Sequence, residues 1–430
     1  MVVIFLCFIA IALLLLIDFK KGVLMYAPLK LFFNMNVRFG PFTFDLAMSL
    51  LILVLFLIKR KQLICERFPL AKYFTIYAIG YIITCLFPTL CINFIPRIVI
   101  MVLAFSVIYY YCLQNKKDLQ FAILCYSLFA IIMCGNGLLE PLMGKNPLDG
   151  FLQSVSVADE EQSMFLDNEL IRGGQVRYRS FIPHSISYGV ACCIILYLIL
   201  WKRLIFKEQE SSQLITITAM CFLLSGVIIC GSRTPILGLM PLILIIFDKK
   251  YVPAKMRRNF IIIALIFAIV CGDYIIYSIV SIFNPNISND AGGSSTDMRL
   301  VQYILAFNWM LENPFLGKGM LFEPQIIDSD IYGAESVWLP LMMNNGIVGI
   351  LSYAIIYVGC YKVFRKSSGS FFLLLFSGGW LLMRTATSLI GVTDAQFFTC
   401  VFIVYRYYEL QNQQKAKSPS YALIHHNSNL

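Results

Sequence analysis

Long apolar runs recur along almost the whole chain, and they constrain its fold more than any other feature. A helix needs roughly 20 apolar residues to cross a bilayer, and it closes its own backbone hydrogen bonds there. The composition agrees, with 59% hydrophobic and 13% charged residues and a mean hydropathy of +0.77. We therefore predict an all-α integral membrane protein with about 12 transmembrane helices. The runs lie near residues 2–17, 39–58, 73–92, 98–113, 121–139, 186–201, 214–230, 235–247, 260–283, 337–360, 371–386 and 395–408.

Basic residues predict the orientation of these helices. With the N-terminus inside, 21 of the 34 Lys and Arg residues fall on alternate loops, from Lys59 through Lys116 and Lys249 to Lys417. Lys and Arg accumulate on cytoplasmic loops, so both termini are predicted to be cytoplasmic. Residues 1–410 then form one transmembrane bundle and 411–430 a polar cytoplasmic tail. One external loop, 18–38, breaks the pattern with four basic residues, Lys20, Lys21, Lys30 and Arg38.

Two predicted external loops, about 140–185 and 284–336, are much longer than the others. Loops of this length are usually functional or disordered. The second contains a predicted helix from Asp297 to Leu311, capped by Ser295 or Thr296 and ended by Asn313-Pro314. Its sequence fits a helix lying at the membrane surface, and equally a loop helix packed on the bundle.

Arginine replaces lysine on the external side. The cytoplasmic loops hold 14 lysines and 7 arginines, whereas the external side from residue 140 onward holds 6 arginines and 2 lysines. Insertion does not distinguish the two residue types, but the planar fork of Arg grips phosphate or carboxylate with two hydrogen bonds. The pattern predicts an anion site. Its candidate residues are Arg177, Arg179, Arg233, Arg299 and Arg384; Arg172 belongs to the same external set.

Two of these arginines interrupt apolar stretches. Arg233 lies in Gly231-Ser232-Arg233-Thr234-Pro235, beside the start of a helix whose free N–H groups attract anions. Its alternative is an Arg that reaches the lipid headgroups. Arg384 is followed by Asp394, so an ion pair within the membrane is its alternative.

Two residues are candidates for a proton-accepting base. His184 follows Arg177 and Arg179 at the mouth of a helix, where it can also be a structural hydrogen bonder. Glu335 precedes the helix that contains Trp338, where a carboxylate can act as a base or cap the helix. The sequence contains no CxxC and no metal-ligand set, so we predict neither metal nor cofactor, and no basic groove for nucleic acid.

Three motifs follow one another in the second half of the chain. In order and spacing they resemble the O-antigen ligase and polymerase family of bacterial envelope enzymes. Arg179 with Pro183 is similar to a further family stretch, so the resemblance covers roughly 179–355. The motifs are Gly231-Ser232-Arg233-Thr234-Pro235, the stretch from Arg299 through Trp309 to Glu312-Asn313-Pro314-Phe315-Leu316-Gly317-Lys318-Gly319, and Gly346-Ile347-Val348-Gly349.

The resemblance implies glycan transfer on the periplasmic side of the bacterial inner membrane. The implied donor is an undecaprenyl-diphosphate-linked oligosaccharide, with no metal or nucleotide sugar required. A hydroxyl of the acceptor attacks the anomeric carbon, and the lipid diphosphate leaves with its negative charge. The arginines then hold the diphosphate, and Glu335 or His184 accepts the proton. A partner protein that regulates chain length is a further possibility.

The choice within the family rests on residues 335 and 336. Ligases of the family usually place a His, often followed by Asn, where this chain has Glu335-Ser336. This difference favours a polymerase, which joins lipid-linked repeat units for O-antigen, capsule or exopolysaccharide; a ligase stays open. A flippase for lipid-linked oligosaccharides is an alternative of another class, which predicts charges inside the bundle and short loops on both faces.

Overall fold

Helices form where the sequence is apolar, because each segment must close its own backbone hydrogen bonds in lipid. The computed structural model describes residues 2–33, 37–39, 42–64, 66–151, 171–172, 175–206, 213–247, 254, 257–258, 261–262, 296–320, 322, 336–387 and 392–417. In chain order the helices are α1 (Val2–Ile17), α2 (Phe19–Leu29), α3 (Phe44–Leu63), α4 (Ala71–Leu86), α5 (Ile92–Cys112), α6 (Lys116–Met143), α7 (Ser185–Phe206), α8 (Gln213–Ile229), α9 (Arg233–Phe247), α10 (Thr296–Glu312), α11 (Trp338–Phe364), α12 (Ser370–Thr385) and α13 (Val392–Lys417).

Four of the described helices, α5, α6, α7 and α11, are long and apolar enough to cross a membrane by length and composition. Shorter apolar helices of 10–17 residues accompany them, in α1, α4, α8, α9 and α12. The predicted class, a helical membrane protein, is therefore confirmed. The number of crossings stays a prediction.

Several predicted elements fall outside the described residues. They include all but 261–262 of the predicted helix 260–283, and residues 152–170, 173–174, 284–295, 321 and 323–335 of the two long loops. The predicted helix within the second loop is present as α10. At the other end of the chain, α13 runs to Lys417, past residue 410, where the polar tail was predicted to begin.

The largest difference from the sequence prediction concerns residues 18–38. They contain α2, whose first turn is capped by the Asp18 side chain accepting from the N–H of Lys21 (3.1 Å). The prediction of a loop was wrong because helices were predicted from long apolar runs, and α2 has only 11 residues. Just after α2, Lys30 is 2% exposed, and its Nζ lies 2.5 Å from Oδ1 of Asp45. A short antiparallel pair, β1 (Arg38–Phe39) with β2 (Phe42–Thr43), then leads into α3.

Helix α2 folds back along α1. A Cβ on Gly22 would lie 3.0 Å from Cα of Leu15, so the two backbones touch. The Lys20 ammonium donates to Oε1 of Gln114 (3.2 Å), which places the α1–α2 turn beside the end of α5. Lys20 thus joins the lysine-rich segments instead of breaking their pattern. The sequence predicted that the lysine-bearing loops and the N-terminus both lie in the cytoplasm. These two predictions conflict, because α1 begins at the end of the bundle opposite the α1–α2 turn.

Helix ends gather at two opposite ends of the bundle. At the first, Arg406 of α13 donates to the Leu113 carbonyl (3.0 Å) and contacts Glu66 (2.8 Å). Gln114 donates to the Leu63 carbonyl there (3.2 Å). We call this the lysine-rich end, since the lysine-bearing segments 59–61 and 116–117 adjoin these contacts. The starts of α7 and α13 lie at the opposite end of the bundle, the site end.

Candidate active site

The arginine segment, residues 177–184, lies at the site end between two short strands and α7. Strand β3 (Ile171–Arg172) pairs antiparallel with β4 (Gln175–Val176), and the segment follows directly. The N–H of Tyr178 donates to the carbonyl of Ile229, at the end of α8 (3.3 Å). A Cβ on Gly231, whose φ is +60°, would lie 3.1 Å from Cγ of Arg177. Arg177 therefore lies across the turn that begins α9.

Arg179 is engaged by the protein itself. Its Nη2 lies 3.3 Å from Oδ1 of Asp149, and its Nη1 donates to the carbonyl of Pro183 (3.1 Å). The side chain is 13% exposed. A diphosphate at Arg179 would share the guanidinium with Asp149, so the predicted role of this residue in substrate binding stays a prediction.

His184 caps α7. Its Nδ1 accepts a hydrogen bond from the N–H of Ile186 (3.1 Å). A neutral imidazole that accepts at Nδ1 carries its proton on Nε2, which makes Nε2 a donor. In this arrangement His184 suits donation to an anion better than acceptance of a proton.

Arg233 is the first residue of α9 and is half-buried. Its neighbours Ser232 and Thr234 are both 5% exposed. Thr234 Oγ1 donates to the carbonyl of Ala386, just beyond α12 (3.1 Å). The α8–α9 turn is therefore joined to the segment 384–387.

Arg384 is fully buried and pairs with Asp394, the alternative that the sequence left open. Its Nε lies 3.4 Å from Oδ1 of Asp394 and 3.3 Å from the hydroxyl of Tyr353. Neither Nη atom has a hydrogen-bond partner among the described residues. The Arg384 carbonyl accepts from the N–H of Val337 (3.0 Å), which joins this segment to the start of α11. A direct role in binding the substrate stays a prediction.

Ser336 connects the start of α11 to α10. The hydroxyl of Tyr303 donates to Ser336 Oγ (2.8 Å), which also accepts from the N–H of Trp338 (3.3 Å). Ser336 thus links α10 to the first residue of α11, and the predicted roles of Glu335 as base or cap stay predictions. Glu335 itself lies outside the described residues. Arg299 lies in α10, but its side chain is also outside them.

Helix α10 packs against the bundle along one side. Ala306 is buried in a cluster with Leu339 and Met343 of α11. The opposite side of α10 exposes an apolar row. The row consists of Leu300, Ile304, Phe307 and Leu311. That α10 lies at the membrane surface stays a prediction.

The predicted motifs at 312–319 and 346–349 meet in one backbone clamp. Helix α11 contains a π-helical segment, Leu341–Asn345, before it resumes at Gly346. The N–H groups of Ile347 and Val348 donate to the carbonyls of Pro314 and Phe315 (2.8 and 3.1 Å). Lys318 and Gly319 donate in return to the carbonyls of Met343 and Asn344 (2.8 and 3.1 Å). The clamp therefore fixes the end of α10 against α11.

Hydrogen bonds and close contacts thus join five stretches that are distant in sequence. The arginine segment contacts the α8–α9 turn, and this turn is hydrogen-bonded to residues 384–387. Residues 384–387 are hydrogen-bonded in turn to Val337 at the start of α11. The adjacent Ser336 accepts a hydrogen bond from Tyr303 of α10. Most of the predicted site residues lie in or beside these stretches. The sequence analysis did not find Glu140, Asn146 and Asp149, which support the arginine segment. Polar residues in a long loop carry no periodic signal that would have selected them.

The fold defines a helical membrane protein, and its arginine-bearing segments meet at the site end, opposite the lysine-rich end. Residues 217–354 match the family model described as O-Antigen ligase. This third of the chain is thus similar to the O-antigen ligase family, and the resemblance predicted from its motifs is confirmed. The match supports a membrane enzyme that transfers glycans. It includes Arg233, Arg299 and the backbone clamp, whereas the arginine segment and Arg384 lie outside it. No curated protein matches the chain.

Proposed function

We propose that the chain polymerises lipid-linked oligosaccharide repeat units. The donor is a glycan on undecaprenyl diphosphate, and the acceptor is a sugar hydroxyl on a second lipid-linked unit. The observation that carries the proposal is the convergence of the arginine segment, the α8–α9 turn and the start of α11 at the site end. The O-antigen ligase match over residues 217–354 supports the class of reaction.

The proposed reaction takes place outside the cytoplasm. Lysine-bearing segments gather around Glu66, Leu113 and Arg406 at the opposite end of the bundle. Because Lys and Arg accumulate on cytoplasmic loops, that end is assigned to the cytoplasm and the site end to the periplasm. The chain then lies in the bacterial inner membrane with residues 1–410 as one transmembrane unit.

The proposed step exchanges one bond at the anomeric carbon. The acceptor oxygen forms a bond to this carbon, and the bond to the diphosphate oxygen breaks with its electron pair leaving on the diphosphate. The proton of the acceptor hydroxyl passes to a base. Guanidinium groups stabilise the charge that develops on the leaving diphosphate. We assign this role to Arg177, Arg233 and Arg299, with Arg179 and Arg384 as supports.

The hydrogen bonding of His184 supports a choice between the two candidates for the base. Since Nδ1 of His184 accepts from Ile186, its Nε2 carries a proton and suits donation to the leaving oxygen. The proposal therefore assigns the base to Glu335, which adjoins Ser336 at the start of α11. This assignment is tested by Glu335→Gln, which should abolish transfer while leaving binding of the donor within about threefold of wild type.

A ligase is the second candidate, because the matched family is described as O-Antigen ligase. A ligase would use the same donor but transfer the finished glycan to lipid A-core or another acceptor. Deletion of the gene and electrophoresis of the surface glycan separate the two. Loss of the long-chain ladder with single repeat units still attached indicates a polymerase. Loss of all attached glycan, with chains left on the lipid carrier, indicates a ligase.

The same strain tests the arginines. Complementation with Arg233→Ala should lower transfer by about 100-fold, the usual effect of removing one group that stabilises a leaving charge. Arg233→Lys should retain part of the activity, since it keeps the charge but not the fork. Arg365→Ala is the matched control, because Arg365 is exposed just beyond α11, at the end of that helix away from the site. Normal glycan in the Arg233→Ala strain, at normal protein level, would refute the proposed site.

A flippase predicts a different result. Deletion of a flippase leaves lipid-linked repeat units on the cytoplasmic side, where an externally added glycan-binding probe does not reach them in intact spheroplasts. Deletion of the proposed polymerase leaves them on the outside. Labelling of the accumulated units from the outside therefore distinguishes transfer from transport.

A further inference from the structure

Ser180, in the middle of the arginine segment, has a strained backbone. Its φ is +58°, and it is the one positive φ of a non-glycine residue in the described part of the chain. This left-handed conformation is unfavourable for residues with a side chain and persists only where the surroundings impose it. Since Ser180 follows Arg179 directly, the conformation sets the course of the chain between Arg177 and His184.

The surroundings of Ser180 come from α6 and the turn after it. Ser180 Oγ donates to the carbonyl of Met133 (2.7 Å) and accepts from Nδ2 of Asn136 (3.2 Å). The Ser180 carbonyl accepts from Nδ2 of Asn146. Both sides of Ser180 are therefore held, and its side chain is fully buried.

Glu140 of α6 completes this set of contacts. It is 4% exposed, and its Oε2 accepts from the backbone N–H of Arg179 (3.1 Å). Its other carboxyl oxygen, Oε1, has no hydrogen-bond partner among the described residues. A buried carboxylate with an unsatisfied oxygen is unfavourable, so an apolar residue here would suit the packing of α6 better. The favourable contact that a glutamate provides at this position is the hydrogen bond with the backbone N–H of Arg179.

We propose that Glu140 is a positioning residue for the candidate active site. Its carboxylate fixes the backbone of Arg179 in the strained course through Ser180, so that Arg177 stays on the α8–α9 turn and His184 stays at the start of α7. The hydrogen bond acts on the backbone, and Glu140 itself contacts no reacting group. The importance of Glu140 for glycan transfer rests on the proposed function, whereas its role in positioning the arginine segment does not.

Limited proteolysis tests the positioning without any glycan. Trypsin cleaves after Arg177 and Arg179, and a peptide bond must leave its fixed conformation to be cut. In purified full-length protein, Glu140→Ala should raise the rate of cleavage at these two bonds about tenfold or more, as measured by mass spectrometry of the new N-termini. Glu140→Gln keeps an oxygen in the same place and should restore most of the protection.

Asp118→Ala is the matched control. Asp118 is also a carboxylate of α6 that accepts from backbone N–H groups, those of Gln114 and Asn115 (3.1 and 3.2 Å), but it caps the other end of the helix. Cleavage at Arg177 and Arg179 should not change in this variant. Equal cleavage in the Asp118→Ala and Glu140→Ala proteins would show general loosening of α6 and overturn the proposal. A Glu140→Ala protein cut no faster than wild type, or a Gln variant as labile as the Ala variant, would also overturn it.

Transfer assays then test the consequence for activity. With purified lipid-linked repeat units, Glu140→Ala should raise the KM for the donor about tenfold and change kcat less than KM, because the arginines remain present but are poorly placed. Glu140→Gln should restore KM. If the wild-type protein transfers no glycan, the proposed function fails, and the proteolysis result still decides the role of Glu140. If wild type is active and Glu140→Ala has the same KM, the positioning role fails alone.

Discussion

Substitution of Gly317 by Ala tests the backbone clamp between α10 and α11. Gly317 has φ +68°, and a Cβ at this position would lie 2.6 Å from the carbonyl oxygen of Met343 and the carbonyl carbon of Asn344. These are backbone atoms of the π-helical segment and have no rotamer to change. The alanine therefore forces the loop 314–319 away from α11.

The cost has two parts. A left-handed conformation of Ala costs about 1–2 kcal/mol more than that of Gly. The displaced loop also loses the hydrogen bonds from Lys318 to Met343 and from Gly319 to Asn344, each worth about 0.5–1.5 kcal/mol. The sum is a destabilisation of about 2–5 kcal/mol.

The assay is thermal unfolding of the purified protein in detergent. Gly317→Ala should lower the apparent melting temperature by at least about 3 °C. Gly378→Ala is the control, because a Cβ on Gly378 of α12 would meet no atom within 4 Å. This control should be neutral or stabilising by up to about 1 kcal/mol, as expected for Gly to Ala within a helix. If the two variants unfold at the same temperature, the clamp does not contribute to stability as argued.

Three further predictions concern single polar contacts. Lys30→Met should destabilise the protein by about 3–5 kcal/mol, because it leaves Asp45 charged and buried, and the double variant with Asp45→Asn should recover most of the loss in the same unfolding assay. His184→Ala should lose about 1 kcal/mol of stability with its cap, whereas His184→Asn should keep the cap; full transfer activity in His184→Asn would show that His184 only caps α7. At Glu66, outside the helices, burial opposes ionisation, but the hydrogen bond and charge of Arg406 lower the pKa of the carboxyl below its ordinary value. A depressed pKa stabilises the fold above the ordinary pKa and stops doing so as the pH falls through the lowered one, so wild type should lose more stability than Glu66→Gln between about pH 5 and pH 3.

The family motifs show which features of the site local sequence could predict. Gly231, Gly317 and Gly346 were found as parts of a resemblance, and the structure shows why glycine is needed there. Each has a positive φ, and a Cβ on Gly317 or Gly346 would meet backbone atoms at 2.6 Å. A motif indicates which residues matter together, but it does not show that two of its parts bind each other.

Charged residues marked the limit of the sequence prediction. Lys30 was placed in an external loop, because its contact with Asp45, 15 residues away, exists only in the folded chain. The sequence allowed two interpretations of Arg384, an anion-binding residue or a partner of Asp394. Only the packing of α12 beside α13 showed the ion pair with Asp394. Glu140 was not considered, because its partner is a backbone N–H.

The sequence by itself determined the helical membrane class, the alternation of lysines and the set of arginines, since hydropathy and charge act on each segment as it enters the bilayer. The tertiary structure alone decided which helix ends meet, how α1 and α2 fold back, and which carboxylate holds the arginine segment. Those contacts join residues far apart along the chain, and their energies depend on distances of a few ångströms that exist only after the helices have packed.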